Sequence, residues 1–334
     1  MIIAPTFAVT KTNRHPGKTG RKRKIMINTK NNVKIIGVDH GYGNMKTANC
    51  VFGTGVLAYD KEPVFKSDML VWNGRYYLIG TGHKEFTADK MQDEDYYVLT
   101  LAAVARELNV HGIQTADVFL AAGLPLTWVA EQKAAFRDYL MQNETVNFVF
   151  REKEYHIRFF GIELFAQGFA AAFPHIKEFT GVNMLCDIGN GTMNLMYIND
   201  KKVDPRKCYT EKFGTHQCML QVRENLMRLY HAEPPEETVT RVLRFGEADI
   251  DPAYLKTITD TAREYVDGIF RRLREHGYDP RLMKLYVVGG GGCLIKNFAD
   301  YDENRVTINE DICATVKGYE RMAEIKLQRA GDGK

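Results

Sequence analysis

The sequence predicts an α/β fold made of two domains of like topology, with mixed sheets around a shared cleft. Apolar runs of strand length alternate with amphipathic helical stretches, and several hairpins interrupt this alternation, which indicates mixed sheets. The 334 residues are enough to bury two cores. The pattern D-x-G-x-G-[N/T]-M occurs twice, from Asp39 and from Asp187, and the two copies are about one domain's length apart.

The first half of the chain is predicted to contain several strands and hairpins. The apolar run at 33–40 is a predicted strand, and the glycine-rich loop after it leads into a second predicted strand at 45–52. A hairpin is predicted over 69–80, because Asn73-Gly74 supplies the positive φ of a type I′ turn. The other elements predicted in this half are a strand at 116–123, a hairpin at 145–150 and 155–160, and helices at 94–109, 128–142 and 163–173.

The second half restarts the pattern with a strand at 182–189, a glycine loop and a strand at 192–198. The last stretch, 309–328, places apolar residues on one face, which predicts a terminal helix docked on the body of the protein. That face consists of Ile312, Val316, Tyr319, Met322 and Ile325. The other elements predicted here are helices at 213–230, 236–245, 251–276 and 293–299 and a strand at 285–288.

Composition and charge exclude several classes of protein. Hydrophobic residues make up 45% of the chain and charged residues 26%, which is ordinary for a globular protein. No apolar run approaches the roughly 20 residues of a membrane span, so no membrane contact is expected. The six cysteines include no CxxC pair, which indicates reduced thiols and predicts a cytoplasmic location. The segment 1–32 has eight Lys or Arg and no acidic residue, so it is expected to be disordered, and the rest of the chain is mildly acidic.

The repeated glycine loops carry the chemical prediction. A strand–loop–strand rich in glycine lets several backbone N–H groups point at one polyanion, and two such loops can clamp phosphates from both sides. Asp39 and Asp187 suit a hydrated Mg²⁺, and Lys46 supplies a positive charge. Either loop alone is also compatible with a plain turn. The remaining candidate ligands are Gly41, Tyr42, Gly43 and Asn44 in the first loop and Gly189, Asn190, Gly191 and Thr192 in the second.

A third glycine site follows the strand at 285–288. Four consecutive glycines, Gly289, Gly290, Gly291 and Gly292, lead into a helix, so a ligand could lie on the backbone there, although a tight turn needs only one or two glycines. The sequence does not match two other nucleotide-binding motifs. Met45 stands where a Walker A loop has its second glycine, and no G-x-G-x-x-G opens a helix after the first strand.

With these motifs in order, the chain resembles the actin-like ATPases of the actin, sugar kinase and heat-shock chaperone superfamily, and most closely the ParM/StbA plasmid-segregation branch. Besides the three glycine sites, the resemblance rests on "GLPL" at 123–126 and "FAQGFAAA" at 165–172. The order and spacing hold from about residue 33 to residue 327, which is nearly the whole chain. One departure is Asn194, where the second loop of the family often has an aspartate.

The resemblance implies two ribonuclease-H-like (actin-like) domains with mixed sheets around a nucleotide cleft. Domain I would span 33–165 with the helix at 309–328 packed back on it, and domain II would span 166–308. It further implies slow hydrolysis of ATP or GTP with Mg²⁺ held by Asp39 and Asp187, and a water aligned by Gln167 with help from Asp187. Arg223 and Glu224 match the family's segment on the adenine and ribose side. The implied partners are other copies of the chain in a filament and a DNA-bound adaptor protein, in plasmid or mobile-element segregation.

Two alternatives stay open at this stage. A small-molecule kinase of the same superfamily needs a general-base aspartate facing the acceptor hydroxyl, and the sequence offers no convincing candidate. A non-polymerising, nucleotide-switched DNA adaptor would suit the basic tail, which is the one segment expected to contact nucleic acid directly.

Overall fold

The computed structural model describes residues 33–80, 91, 93–125 and 129–332. The basic tail and Leu126, the last residue of the "GLPL" motif, lie outside the described residues. Within those ranges the chain forms two mixed sheets, which confirms the predicted fold class. No described helix is long and apolar enough to cross a membrane.

The first sheet takes its described strands from the N-terminal half of the chain, in the order β3-β2-β1-β7-β9-β8-β5-β6-β4. β1 pairs with β7 and β7 with β9 in parallel, whereas the other pairs are antiparallel. The strands are β1 (Val33–His40), β2 (Asn44–Lys46), β3 (Val51–Gly53), β4 (Val56–Tyr59), β5 (Met69–Trp72), β6 (Arg75–Ile79), β7 (Thr115–Leu124), β8 (Thr145–Phe150) and β9 (Lys153–Ala166).

The second sheet follows in the chain, and its described strands have the order β12-β11-β10-β13-β14. β10 pairs with β11 antiparallel and with β13 in parallel, as β1 pairs with β2 and β7 in the first sheet. The strands are β10 (Val182–Ile188), β11 (Met193–Asn199), β12 (Lys202–Glu211), β13 (Lys284–Val288) and β14 (Val306–Ile308).

Helices cover the faces of both sheets. They are α1 (Asp95–Val110), α2 (Val129–Leu140), α3 (Phe169–Ala172), α4 (Thr215–Tyr230), α5 (Glu236–Phe245), α6 (Pro252–Glu275), α7 (Gly292–Phe298) and α8 (Ala314–Asp332), with a 3₁₀ helix at Phe173–Glu178. β7 reads as a continuous apolar run because it is buried on both faces: α1 shares a core with one face and α8 contacts the other.

Three local predictions differ from the structure. The helix predicted at 163–173 is wrong for residues 163–168. β9 continues to Ala166 there, because it pairs in parallel with the end of β7, about 40 residues earlier in the chain. The strand predicted at 45–52 is broken into β2 and β3 by a turn in which Thr47 N–H donates to Cys50 O at 2.8 Å. The edge strands β4, β12 and β14 were not predicted from the sequence.

A seam of three glycines lets α8 lie directly on the backbone of its neighbours. A Cβ at Gly37 of β1 would crowd the Val316 carbonyl oxygen at 2.9 Å, and a Cβ at Gly123 of β7 would overlap the Tyr319 hydroxyl. On the helix side, a Cβ at Gly318 would overlap the carbonyl of Ala170 in α3. α8 therefore contacts β1, β7 and α3 at backbone distance.

Gly318→Ala is expected to destabilise the protein by about 2 kcal/mol, because the new methyl group must push α8 away from α3. Helix propensity alone predicts the opposite sign, since alanine is favoured over glycine by about 1 kcal/mol inside a helix. Urea unfolding of the variant and of the exposed neighbour variant Lys317→Ala measures this. A gain in stability for Gly318→Ala would contradict the close contact.

Candidate functional site

A cleft of about 960 Å³ lies where β1 and β10 end, between the two sheets. Most of the residues singled out in the sequence line it, although they come from distant parts of the chain. These are Asp39, Gly41, Tyr42, Gly43, Asn44, Lys46, Gln167, Asp187, Gly189, Asn190, Gly191, Thr192 and Gly290.

The first glycine loop is a tight connection between β1 and β2. Asp39 and Lys46 are cross-strand partners, and Lys46 Nζ lies 3.4 Å from Asp39 Oδ2. A Cβ at Gly41 would overlap the carbonyl oxygen of Asn44, so this position requires glycine. The Thr54 hydroxyl donates to Tyr42 O at 2.7 Å, which fixes the loop from the side of β3. Contacts within the protein therefore hold the loop in this shape.

The second glycine loop, between β10 and β11, is held by the start of α4. Gly189 N–H donates to Thr192 O at 2.8 Å and closes the loop. The backbone N–H groups of Thr215 and His216 donate to the carbonyls of Gly189 and Asn190, at 3.0 and 2.9 Å. Because α4 satisfies these carbonyls, the loop keeps one shape.

The two loops touch across the cleft. A Cβ at Gly43 of the first loop would overlap the side-chain amide of Asn190 in the second. The missing side chain at Gly43 thus lets the first loop pack directly against the Asn190 side chain of the second.

Two buried carboxylates lie at the floor of the cleft. Asp39 is 7% exposed and Asp187 is 8% exposed. Gln167 Nε2 donates to Asp39 Oδ1 at 3.0 Å. Burial raises the pKa of Asp187 to about 6, Lys46 opposes this rise, and the negative charge of Asp39 adds to it. The site therefore concentrates negative charge beside one lysine.

The carboxylate pair fits a hydrated magnesium ion. No side chain of the described residues donates a hydrogen bond to Asp187, although its carboxylate is buried. The Asp187 carboxylate lines the cleft, where it can meet a ligand, and Mg²⁺ takes one or two carboxylates and keeps several waters. Within the described ranges no group of three or more His, Cys, Asp or Glu residues is placed to hold a metal ion.

The four-glycine segment has a packing role that the sequence did not reveal. Gly289 has φ of +86°, and a Cβ there would lie 2.6 Å from Asp187 Oδ1. Gly291 N–H donates to Ile188 O at 2.9 Å, and a Cβ at Gly291 would overlap the Ile188 side chain. Only Gly290 of the four lines the cleft, and Gly292 begins α7. The glycines mainly let this segment pass beside the end of β10.

The prediction for Arg223 and Glu224 differs from the structure, since neither residue lines the cleft. α4 meets the cleft with His216 and Met219, near its start. Further along the helix the Arg223 guanidinium forms an ion pair with Glu233, and Glu224 is exposed. A charged pair on an exposed helix face is the simpler explanation of this sequence feature.

Sequence reasoning missed the α5 side of the cleft. The guanidinium groups of Arg241 and Arg244 lie 5.9 and 5.3 Å from the centre of the Phe245 ring. All three residues line the cleft, together with Glu237 and Thr240 of the same helix. No motif marks them; the one available signal is a basic and aromatic cluster at the end of a strongly amphipathic helix.

The fold and cleft together define the class of protein. Each sheet contributes an aspartate-ended strand, a glycine loop and a returning strand, and the two units face each other across one cleft, which is the actin-like arrangement. Residues 37–169 match the family described as "Actin like proteins N terminal domain". The chain therefore has an actin-like fold, and its first sheet lies almost entirely in the segment that matches this family.

Solved structures of actin-like proteins cover nearly the whole chain. A ParM of Bacillus thuringiensis, determined with ATP, has a TM-score of 0.66 and 14% identity over 89% of this chain and 100% of its own. An archaeal actin homologue, Ta0583 in complex with ADP, has a TM-score of 0.65 and 19% identity over 87% and 99%. The Alp12 filament structure has a TM-score of 0.65 and 18% identity over 89% and 99%. A comparison with curated protein sequences gives no match.

Gly289→Ala is expected to cost about 3 kcal/mol of unfolding free energy, because the methyl group strains a positive φ and also collides with the Ile188 carbonyl oxygen and the Asp187 carboxylate. Gly181→Ala is the matched control. Gly181 has φ of +63° but open space around it, so only the strain of about 1 kcal/mol remains. Urea unfolding measures both variants, and equal losses would contradict the contact at Asp187.

Proposed function

We propose that the chain is a nucleotide-dependent actin-like ATPase that forms filaments and serves the segregation of plasmid or mobile-element DNA. The observation that carries the proposal is the meeting of two glycine loops above a pair of buried carboxylates. This geometry suits the triphosphate of ATP or GTP with its Mg²⁺. The similar proteins support it, because their structures include ADP, ATP and a filament.

The phosphates would lie between the two loops. Backbone N–H groups of Gly41–Asn44 and Gly189–Thr192 would face them, and Lys46 would shift from Asp39 to a phosphate oxygen. Asp39 and Asp187 would hold the Mg²⁺, which when bound neutralises charge on the phosphates during transfer. The base end of the nucleotide would then reach α5, where Arg241, Arg244 and Phe245 offer planar groups for stacking.

Gln167 would position the attacking water. Its amide nitrogen donates to Asp39 Oδ1, so its carbonyl oxygen is left to accept a hydrogen bond from a water in the cleft. Asp187, near the end of β10 in the second sheet, would orient the same water. An amide is a poor base, so this arrangement predicts slow hydrolysis, which suits a timer for filament disassembly.

The proposal includes the organisation and partners of the chain. We take 33–165 with 309–328 as domain I and 166–308 as domain II. The partners would be further copies of the chain and a DNA-bound adaptor, in the cytoplasm, and the basic tail would be the one segment in contact with nucleic acid. Closure of the two domains on the nucleotide would favour head-to-tail stacking.

Electron microscopy and light scattering test the filament. The full chain is mixed with Mg²⁺ and ATP, GTP or a non-hydrolysable ATP analogue, and with no nucleotide as the blank. Filaments are expected with triphosphates only and should persist with the analogue. Nucleotide binding without polymer at any protein concentration would favour the switched adaptor, and ADP release only after addition of a sugar would favour the kinase.

Gln167→Ala is expected to slow hydrolysis by about 100-fold while nucleotide affinity stays near that of the wild type, because the side chain acts on water rather than on the nucleotide. Phosphate release and binding of a fluorescent nucleotide are measured separately. Gln221→Ala, an exposed glutamine on α4, is the control and should change neither. Parallel losses of binding and hydrolysis in Gln167→Ala would show that Gln167 has a different role.

A further inference from the structure

A groove of about 920 Å³ lies beside the second sheet, between the C-terminal half of α6 and the segments that lead into β13 and β14. It shares no lining residue with the cleft. Arginines outnumber acidic residues in its lining by two, so we call it the arginine groove. Its charged residues are Arg263, Arg271, Arg274, Arg281, Arg305, Asp267, Asp300 and Asp302.

Three arginines of the groove have no anionic partner. Two others are held by the protein itself: Arg263 forms an ion pair with Asp260 at 3.3 Å, and Arg305 Nε donates to Pro280 O at 3.2 Å. The remaining three are exposed and form no ion pair with any described residue; they are Arg271, Arg274 and Arg281. Guanidinium groups bind carboxylates or phosphates through paired hydrogen bonds, so the groove fits an acidic partner.

An acidic segment joins α5 to α6. Ala248 and Ile250 of this segment are partly buried and pack against the core of the second sheet. The residues at the alternate positions, Glu247, Asp249 and Asp251, are exposed. Within the described part of the chain none of the three acids forms an ion pair. We call these five consecutive residues the acidic loop.

α6 separates the two surfaces within one copy of the chain. The acidic loop ends at Asp251, directly before the first residue of the helix, whereas Arg274 lines the groove near the last residue. At about 1.5 Å per residue, the 24 residues of α6 span about 36 Å. Arg274 therefore cannot reach the acidic loop of its own chain, but it can reach the acidic loop of another copy.

We propose that the arginine groove of one copy binds the acidic loop of the next copy, and that this contact joins the chains in the filament. Because the contact joins unlike surfaces, each added copy still presents a groove at one end and a loop at the other, so the assembly stays open. α5 lines the cleft and ends at Phe245, two residues before the acidic loop begins, which connects the nucleotide site to this contact. The inference rests on the proposed function and names the surfaces that it uses.

Charge reversal on each surface tests the contact. The groove variant is Arg271→Glu with Arg274→Glu, and the loop variant is Glu247→Arg with Asp249→Arg. Each variant alone is expected to raise the critical concentration for polymerisation with a non-hydrolysable ATP analogue by about 10-fold or more, because like charges then face each other. A 1:1 mixture of the two variants should polymerise again, since the groove of each is then opposite in charge to the loop of the other.

Arg137→Glu is the matched control. Arg137 is exposed on α2 and lines neither the groove nor the cleft, so this variant should polymerise as the wild type does. Binding of a fluorescent ATP is measured for every variant and should equal that of the wild type, because none of the substituted residues lines the cleft.

Polymerisation of the groove variant at the critical concentration of the wild type, or a 1:1 mixture that does not polymerise, would overturn this contact while the filament proposal stands. Unchanged polymerisation with lost retention of a labelled DNA duplex would assign the groove to nucleic acid instead. A wild type that binds nucleotide but forms no polymer would remove both the filament and this contact.

Discussion

The burial of the Asp187 carboxylate beside Asp39 is the constraint on which the rest of the structure depends. The two residues come from different sheets; burial makes the negative charge of Asp187 costly, which raises its pKa, and the charge of Asp39 adds to that cost. Lys46 and the amide of Gln167 offset part of that cost. Two like charges in a buried place are unfavourable unless a cation lies close to both. The floor of the cleft therefore favours the binding of a positive ion.

The two glycine loops occupy matching positions but bring different charges. Lys46 is the cross-strand partner of Asp39, and Asn194 is the cross-strand partner of Asp187. Asn194 is held by the Thr210 hydroxyl at 2.9 Å, so it packs as a neutral group inside the second sheet. The first loop thus supplies the lysine, while the second supplies a carboxylate that has no hydrogen-bond or ion-pair partner among the described residues. An aspartate at 194 would add a third negative charge to the floor of the cleft, whereas Asn194 adds none.

Local patterns in the sequence predicted the strands that end in aspartate, the glycine loops and most helices, because each depends on residues close together in the chain. The residues 163–168 were misassigned because their strand is stabilised by β7, a remote neighbour whose parallel pairing outweighs the helical composition of the segment. The four glycines at 289–292 stand out in the sequence. The sequence does not show, however, that this segment needs glycine because it passes close to Ile188 and Asp187. The α5 residues were missed because a cleft wall formed by a helix leaves no spacing pattern in the sequence.

α8, an element outside all three glycine motifs, packs against both elements that border the Asp39–Gln167 pair. α8 lies on β1 at Gly37, two residues before Asp39, and on α3 at Ala170, which follows Gln167. Both contacts are made at backbone distance, so a shift of α8 must move the first carboxylate and the glutamine that holds it. A helix far along the chain therefore helps to place the carboxylate of Asp39 and its hydrogen bond with Gln167. Glycine is needed at the seam because α8 packs there at backbone distance. The local conformation of the helix or strand would accept a larger residue equally well.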